Sequence, residues 1–359
     1  MKLSSALALL LCLSASSAQA EPAASREWIA GELEAAADAA GVPFEVLAAV
    51  AFVESRWTHL VPDADDGHHA RAFGAMGLRD DAWFGSSLSR AASLTGLTKS
   101  ELKRAPSAAI RGGALVLADL QKRLNPSHAR SRDPLAWRRA VESYPGIPGA
   151  EERQLYWKDV LRVLALGHSG TGIHLPGNPR LRQRSDTIQA LRPDATPDPE
   201  WDPSPNFTPG AVNPRYVVIH TTQGSFASSV SWLKNPRSNA SAHYIIRASD
   251  GYAKQLVAET DKAWHARCWN PTTISVEHEG FVQDPDAYTE PMFKASVKLV
   301  KQVLARWRIG ADDMHVFGHD FWTTDRYRQT LPADLPDCND HTDPGIYFHW
   351  VRYLALLAQ

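Results

Sequence analysis

Three side chains in the second half of the sequence are of the types that bind zinc. His220 lies near the end of the apolar stretch "RYVVIHTT", His319 follows a short apolar run and a glycine in "HVFGHD", and Asp343 precedes a turn dipeptide in "HTDPG". Two imidazoles and one carboxylate leave a fourth position for water, which is typical of catalytic rather than structural zinc sites. Because the three are far apart in sequence, spacing alone specifies little, and His220 taken alone fits a structural role better.

The elements that must position these side chains are short strands and one long helix. The segments "RYVVIHTT", "AHYIIRASDG", "YAKQLVAET" and "TISVEHEG" are β-branched and bounded by turn signals, which predicts strands. The segment "EPMFKASVKLVKQVLARW" has apolar residues at helical spacing and predicts an amphipathic helix. Residues 215–359 are therefore predicted to form an α/β domain with a central mixed sheet flanked by helices.

The first half of the sequence shows helical patterns only. Apolar residues recur at three- and four-residue intervals in "REWIAGELEAAADAAG", "PFEVLAAVAFVESRW", "PSAAIRGGALVLADLQKRL" and "ERQLYWKDVLRVLALG". Residues 21–167 are therefore predicted to be an all-α domain. Residues 168–214 contain nine prolines and few apolar residues, which predicts an extended, fairly stiff linker between the two domains.

Composition and the N-terminal stretch limit the compartment and the partners. The 359 residues are 44% apolar and 22% charged with a net charge of −2, which excludes a strongly basic nucleic-acid-binding protein. Residues 1–20, "MKLSSALALLLCLSASSAQA", have the pattern of a cleaved signal peptide, and their apolar run is shorter than the ~20 residues of a membrane span. We expect an exported monomer, periplasmic or secreted, without an integral membrane segment.

Two cysteines remain after removal of the predicted signal peptide. Cys268 and Cys338 form an even pair in an oxidising compartment, which favours a disulfide. Two free thiols, or Cys338 as a metal ligand, are the alternatives.

Six sequence blocks carry a family resemblance. In order, "YVVIHTTQG", "SAHYIIRASDGYAKQLV", "KAWHAR", "NPTTISVEHEG", "VFGHD" and "HTDPGIYFHW" resemble the zinc-dependent N-acetylmuramoyl-L-alanine amidases of the type 2 class, which are related to the animal peptidoglycan recognition proteins. The resemblance spans residues 215–357. It implies one zinc ion held by His220, His319 and Asp343, with Glu277 as the catalytic carboxylate and His341 as the residue that stabilises the transition state.

The resemblance also suggests supporting residues and one departure. His265 and His243 match recurrent histidines expected to bind substrate in the pocket wall or to support that wall, and Glu279 is the alternative to Glu277. The stretch from His319 to Asp343 is longer than the usual family loop, so it must be held in place, and a disulfide between Cys338 and Cys268 would do so. Cys338 as the third metal ligand is the competing interpretation.

The helical half has a partial resemblance of its own. The segments "GVPFEVLAAVAFVESRW", "AFGAMGL", "AAIRGGALVLADL" and "AVESYPG" resemble lytic transglycosylases of the goose-lysozyme-like type, whose lone catalytic glutamate maps onto Glu54. Such a glutamate in a cleft would have a raised pKa and could protonate a glycosidic oxygen. This chain departs from the family at Arg79, Asp80 and Pro145, which favours glycan binding without cleavage.

Together these observations predict an exported zinc enzyme that cleaves the amide between N-acetylmuramic acid and L-alanine in peptidoglycan, with a helical domain that binds glycan. A bifunctional enzyme that also cleaves the glycan strand through Glu54 is one alternative. A peptidoglycan-binding or sensing protein without activity is the other.

Overall fold

The computed structural model describes residues 26–62, 69–170, 173–184, 187, 198–320, 332, 334–336, 338 and 341–359. The predicted signal peptide, residues 1–20, lies outside the described residues. Among the helices that the structure describes, none is long and apolar enough to cross a membrane.

The first region is helical, as predicted. Its seven helices are α1 Arg26–Ala40, α2 Phe44–Ser55, α3 Ser87–Thr95, α4 Lys99–Arg104, α5 Pro106–Leu124, α6 Arg138–Ser143 and α7 Ala150–Leu166. Helix α2 is apolar on nearly every side and has nine buried residues, so it occupies the centre of the region. It ends at Arg56, which adopts a left-handed conformation (φ 53°) and donates its backbone N–H to the Phe52 carbonyl.

The proline-rich stretch contains more regular structure than an extended linker would. The structure has a hairpin of β1 Gly167–Gly170 and β2 Ile173–Pro176, a short helix α8 Pro179–Arg182, and strands β3 Glu200–Trp201 and β4 Phe207–Thr208. Asn206 is buried, and its side-chain amide donates to the carbonyls of Leu233, Asn235 and Ala240. The end of the stretch therefore packs into the second region, because buried backbone carbonyls there need its polar side chains.

The second region has the predicted mixed central sheet. Its further strands are β5 Tyr216–Thr221, β6 Tyr244–Ile246, β7 Ala253–Gln255, β8 Lys262–Ala263, β9 Thr273–His278 and β10 Val316–Gly318, and its helices are α9 Phe226–Leu233, α10 Glu290–Trp307 and α11 Trp350–Leu357. The six-stranded sheet has the order β10-β5-β9-β6-β7-β3, in which β6 and β7 pair antiparallel and the other neighbours pair parallel.

The two faces of the central sheet carry different side chains: one face packs on a hydrophobic core, and the other carries candidate site residues. Val217 and Ile219 of β5 and Val276 of β9 join the hydrophobic core that α10 and α11 complete. Because successive strand residues point to opposite faces, His220 and Glu277 lie on the other face. His220 and Glu277, two of the candidate site residues, therefore lie on the face that these two helices leave uncovered.

Ion pairs join the helical region to the α/β region. Lys254 of β7 is fully buried, and its ammonium contacts Glu151 of α7 (2.6 Å) as well as Asp202 (2.8 Å) and Glu200 (3.3 Å). Arg56 pairs with Glu279 at 2.8 Å on the same boundary. Glu279 and Lys254 are buried, so loss of Arg56 or of the carboxylates around Lys254 would leave an uncompensated buried charge, and these pairs help to fix the relative position of the two regions.

Candidate metal centre

The structure brings the three candidate metal ligands together. His220 belongs to β5 and His319 follows β10, and these strands are parallel neighbours whose carboxyl ends meet at one edge of the sheet. Asp343 comes from the C-terminal loop. One ligand atom from each residue lies within 4.8 Å of the others, and all three residues are buried. The His220 and His319 Nδ1 atoms are each 3.1 Å from one Asp343 carboxylate oxygen.

Hydrogen bonds around His220 determine which of its ring nitrogens can bind a metal. The Thr273 hydroxyl donates to the Trp269 carbonyl (2.9 Å), so its oxygen accepts from His265 Nε2 (3.0 Å). A neutral His265 then accepts at Nδ1 from His220 Nε2–H (3.0 Å). His220 Nδ1 is left with a lone pair that faces Asp343 Oδ2. Two electron-pair donors in contact within a buried site fit ligand bonds of ~2 Å to one shared cation.

The protonation states also suit a metal site. Burial lowers the pKa of His220 to about 4, with a further contribution from His319 and an opposing one from Asp343. Burial likewise lowers the pKa of His319. Burial alone would raise the pKa of Asp343, but His319 and His220 outweigh it and hold that pKa well below its ordinary value. At neutral pH the site therefore offers two neutral imidazoles and a carboxylate, which is the state that binds metal ions.

Glu277 lies beside this cluster. In the parallel pairing of β5 with β9 it is directly opposite His220, so both side chains lie on the same face of the sheet. Its residue is 6% exposed, and it lines a small cavity together with His69, Thr222 and Trp232. A carboxylate in this position can exchange a proton with a group held next to the metal ligands.

His341 lies at the more open side of the cluster. Its ring stacks on that of His319 with centroids 4.0 Å apart and an angle of 12° between the planes, and the residue is partly exposed. His341 is therefore placed to meet a ligand that approaches the cluster from solvent.

Burial raises the pKa of the Asp320 carboxyl to about 7, and the negative charge of Asp343 adds to that rise.

The positions of His265 and His243 correct the expectation that they bind substrate. His243 is fully buried, and it bonds to the Ser275 hydroxyl (3.0 Å) and the Asp261 carbonyl (3.1 Å). His265 is 3% exposed and uses both ring nitrogens in the chain of bonds from Thr273 to His220. Their side chains stand behind the ligand cluster because the bonds that orient His220 come from the sheet side. They fit the support role that the resemblance left open.

A disulfide joins the loop before Asp343 to the α/β region. Cys338 is bonded to Cys268, with Cα atoms 6.3 Å apart and a sequence separation of 70 residues. The Trp269 indole N–H donates to the Pro336 carbonyl at 3.0 Å beside it. In this structure Cys338 is therefore not one of the three residues of the cluster.

The surroundings of Glu54 differ from those of an open glycosidase cleft. Its side chain is fully buried, and Arg79 Nη2 donates to Glu54 Oε2 at 2.9 Å and to the Ser228 hydroxyl at 3.2 Å. Trp83 Nε1 donates to Ser231 at 3.0 Å. Burial raises the pKa of Glu54 although Arg79 opposes the shift. Arg79 therefore links the buried Glu54 carboxylate to helix α9 of the α/β region, and the described residues leave none of the Glu54 side chain exposed to a glycan.

Two histidines near the site have no role in the sequence-based prediction. His278 bonds through Nδ1 to the His220 carbonyl (3.1 Å) and through Nε2 to the Ser296 hydroxyl (2.7 Å), so it supports the strand end from the opposite face. Its position directly after Glu277 in a buried strand could have indicated this. His69 comes from the helical region and shares the small cavity with Glu277. A polar loop without periodicity gives no signal for such a contact.

Comparison with known proteins identifies relatives of the α/β region. Residues 210–346 match the family model described as N-acetylmuramoyl-L-alanine amidase. N-acetylmuramoyl-L-alanine amidase A of Achromobacter lyticus is 36% identical over 168 residues, which cover 44% of this chain and 92% of that protein. The 1,6-anhydro-N-acetylmuramyl-L-alanine amidase AmpD of Salmonella typhimurium strain LT2 is 34% identical over 127 residues, which cover 33% of this chain and 57% of AmpD.

Solved structures resemble a similar share of the chain. A crystal structure of a selenomethionine AmpD derivative covers 45% of this chain and 96% of its own, with 23% identity and a TM-score of 0.32. N-acetylmuramoyl-L-alanine amidase LysC from Clostridium intestinale URNW covers 45% of this chain and 99% of its own, with 20% identity and a TM-score of 0.34.

Proposed function

Because the chain belongs to the N-acetylmuramoyl-L-alanine amidase family, we propose that it is an exported, zinc-dependent enzyme that hydrolyses the amide between N-acetylmuramic acid and L-alanine in peptidoglycan. Water adds to the lactyl carbonyl carbon and the bond from that carbon to the alanine nitrogen breaks. The products are a carboxylic acid on the sugar and a free amine on the peptide. The enzyme acts as a monomer in the periplasm or outside the cell.

One observation carries this proposal: His220 Nδ1 lies 3.1 Å from a carboxylate oxygen of Asp343 in a buried site. His319 supplies the third donor of the same set. Two imidazoles and one carboxylate are a donor set that zinc prefers when a position is left for water or substrate. When bound, zinc would polarise the substrate carbonyl and lower the pKa of water from 15.7 toward ~7.

Glu277 is the proton carrier in this mechanism. Its carboxylate accepts a proton from the attacking water and returns it to the alanine nitrogen as the amide bond breaks. The position of Glu277 opposite His220 on neighbouring strands favours this role, since a sheet holds two such side chains in a fixed relation. Glu279 is a poor alternative, because its carboxylate bonds to Arg56 (2.8 Å) and to the backbone N–H of Ala248 (2.8 Å).

His341 supplies a hydrogen-bond donor to the carbonyl oxygen as negative charge develops on it. A donor positioned before the reaction contributes to the rate because it need not reorient in the transition state. Its stacking on His319 and its partial exposure support this role.

We do not extend the proposal to glycan cleavage. A general acid must reach the glycosidic oxygen, whereas the Glu54 side chain is fully buried and ion-paired with Arg79. Contact between the helical region and peptidoglycan must therefore use a different surface from the one around Glu54.

Digestion of purified sacculi tests the proposal. Mass spectrometry should detect peptides with a free N-terminal L-alanine alongside intact glycan strands, and metal analysis should find one zinc ion per chain. A chelator should abolish peptide release and added zinc should restore it. Binding to sacculi without any release of peptide would instead support the binding or sensing alternative.

A further inference from the structure

A groove runs along the boundary between the two regions and ends beside the metal ligands. It has a volume of about 360 Å3, and we call it the seam groove. The helical region contributes residues 58–62 and 69–72 to one wall, and residues 223, 281–283 and 342 form the other wall. Thr342 lies between His341 and Asp343 in sequence, so the far end of the groove adjoins the candidate site.

The seam groove lies next to the small cavity that Glu277 lines. His69 and Ala70 line both spaces, and Thr222, Ser229 and Trp232 complete the wall of the small cavity. A substrate that occupied both spaces would contact the helical region and Glu277 at once.

Trp232 carries an unused hydrogen-bond donor at this cavity. Its indole Nε1 is buried, and no acceptor for it exists in the part of the chain that the structure describes. Its ring stacks on Phe84 of the helical region with centroids 6.2 Å apart, and the residue lines the small cavity. Leaving a buried donor without an acceptor costs about 1–3 kcal/mol, so an acceptor on a ligand would be favoured here.

On the basis of the proposed function, we propose that the small cavity is a substrate subsite for an amide carbonyl next to the scissile bond. Trp232 Nε1–H donates to that carbonyl oxygen, and His69 of the helical region closes the subsite and contacts the substrate. The carbonyl belongs either to the acetamido group of the muramyl sugar or to the peptide stem. Since the family match begins at residue 210, His69 adds a substrate contact from outside the family domain.

Binding measurements on a full-length chain with strongly reduced turnover test this subsite. In the Glu277→Gln background, Trp232→Phe removes the donor and keeps the aromatic ring. We expect its Kd for a soluble muropeptide, measured by calorimetry, to rise about 10-fold. His69→Ala should weaken binding by a similar factor. The zinc content of both variants should stay at the value of the parent chain.

Two controls separate contact with the substrate from general damage to the seam. Trp83→Phe removes an indole donor that is already bonded to Ser231 on the same boundary, so it should change the Kd less than 2-fold. His128→Gln alters an exposed histidine of the helical region and should also leave the Kd unchanged. Unchanged binding by both Trp232→Phe and His69→Ala would overturn the proposal, as would an equal loss in Trp83→Phe.

A second ligand identifies which carbonyl occupies the cavity. If the acetamido group does, a muropeptide without its N-acetyl group should bind Trp232→Phe and the parent chain equally well. If a peptide carbonyl does, the 10-fold difference should persist. The proposed function is tested separately: if it is wrong, the unmodified chain will release no peptide from sacculi. That result does not depend on what the variants bind.

Discussion

Glu54 lies near the end of the buried helix α2 and Glu277 near the end of the buried strand β9, but the surroundings of the two carboxylates differ. Glu54 lies in the last turn of helix α2 with a fully buried side chain, paired with Arg79, which also donates to Ser228 of helix α9. Glu277 stands near the end of strand β9, beside three metal-type ligands and a cavity. A carboxylate at a catalytic sequence position is therefore a candidate acid or base only where the fold leaves a path for substrate.

The residues around Glu54 contact the α/β region. Arg79 pairs with Glu54 and donates to Ser228, while Trp83 donates to Ser231, so these polar groups are engaged across the boundary between the two regions. The helical region also contributes one wall of the seam groove beside the candidate metal centre.

The largest test exchanges the two glutamates for glutamine. Glu277→Gln should lower kcat for peptide release by about 10²- to 10⁴-fold, because the proton carrier is removed while the metal ligands remain. Glu54→Gln should change kcat less than 3-fold. Mass spectrometry of digested sacculi measures both. New or missing glycan fragments with Glu54→Gln would contradict the comparison and support a bifunctional enzyme.

The ion pair at Glu54 should matter for stability instead. Arg79→Met leaves a buried carboxylate without its guanidinium and should lower the free energy of unfolding by about 3–5 kcal/mol. The double variant Glu54→Gln with Arg79→Met should recover most of that loss. Urea unfolding curves give both values, and a cost below about 1 kcal/mol for Arg79→Met would mean that Glu54 is not held as a buried ion.

Removal of the disulfide should affect the Glu277 site and spare the Glu54 site. Replacing Cys268 and Cys338 by serine should lower the free energy of unfolding by about 2–4 kcal/mol. It should also weaken zinc binding, since the loop that carries Asp343 loses its attachment five residues earlier. Competition with a coloured chelator measures the zinc affinity. Unchanged affinity would show that the remaining contacts suffice to hold Asp343.

The smallest effect concerns the boundary between the regions. Burial raises the pKa of Asp159 to about 7 despite the opposing charge of Arg247. Between its ordinary value of 3.8 and pH 7 the folded chain therefore binds more protons than the unfolded chain, so this group makes stability fall as pH rises. Asp159→Asn should raise the melting temperature more at pH 8 than at pH 5. Equal shifts at both pH values would mean that Asp159 does not titrate in this range.

Local patterns were sufficient for much of the fold and of the metal cluster. The apolar run before His220 and the run before His319 predicted buried strands, and the family blocks indicated Asp343 as the partner of the two histidines; the parallel pairing of these strands came from the structure. The helical half followed from periodicity, and the strands of the sheet followed from β-branched composition and turn signals. These features depend on contacts within an element or between adjacent strands.

Contacts between the two regions could not be predicted in this way. Arg79 bonds to Ser228 across 149 positions and Arg56 to Glu279 across 223 positions, and neither pair has a sequence pattern that announces it. Arg79 was recognised in the sequence as a departure from the lytic transglycosylase pattern, but its contact with Ser228 of α9 was visible only in the structure. The position of His69 beside Glu277 could not be predicted for the same reason, because it depends on how the helical region packs against the α/β region.

The burial of Lys254 has a consequence for how the enzyme would travel over a cell wall. A catalytic unit on a flexible tether can sweep the volume around its anchor and cut repeatedly within that reach. Here an ammonium shared by Glu151, Glu200 and Asp202 clamps the two regions together. Each new bond would have to be found by diffusion of the whole molecule, so we expect scattered cuts rather than clusters.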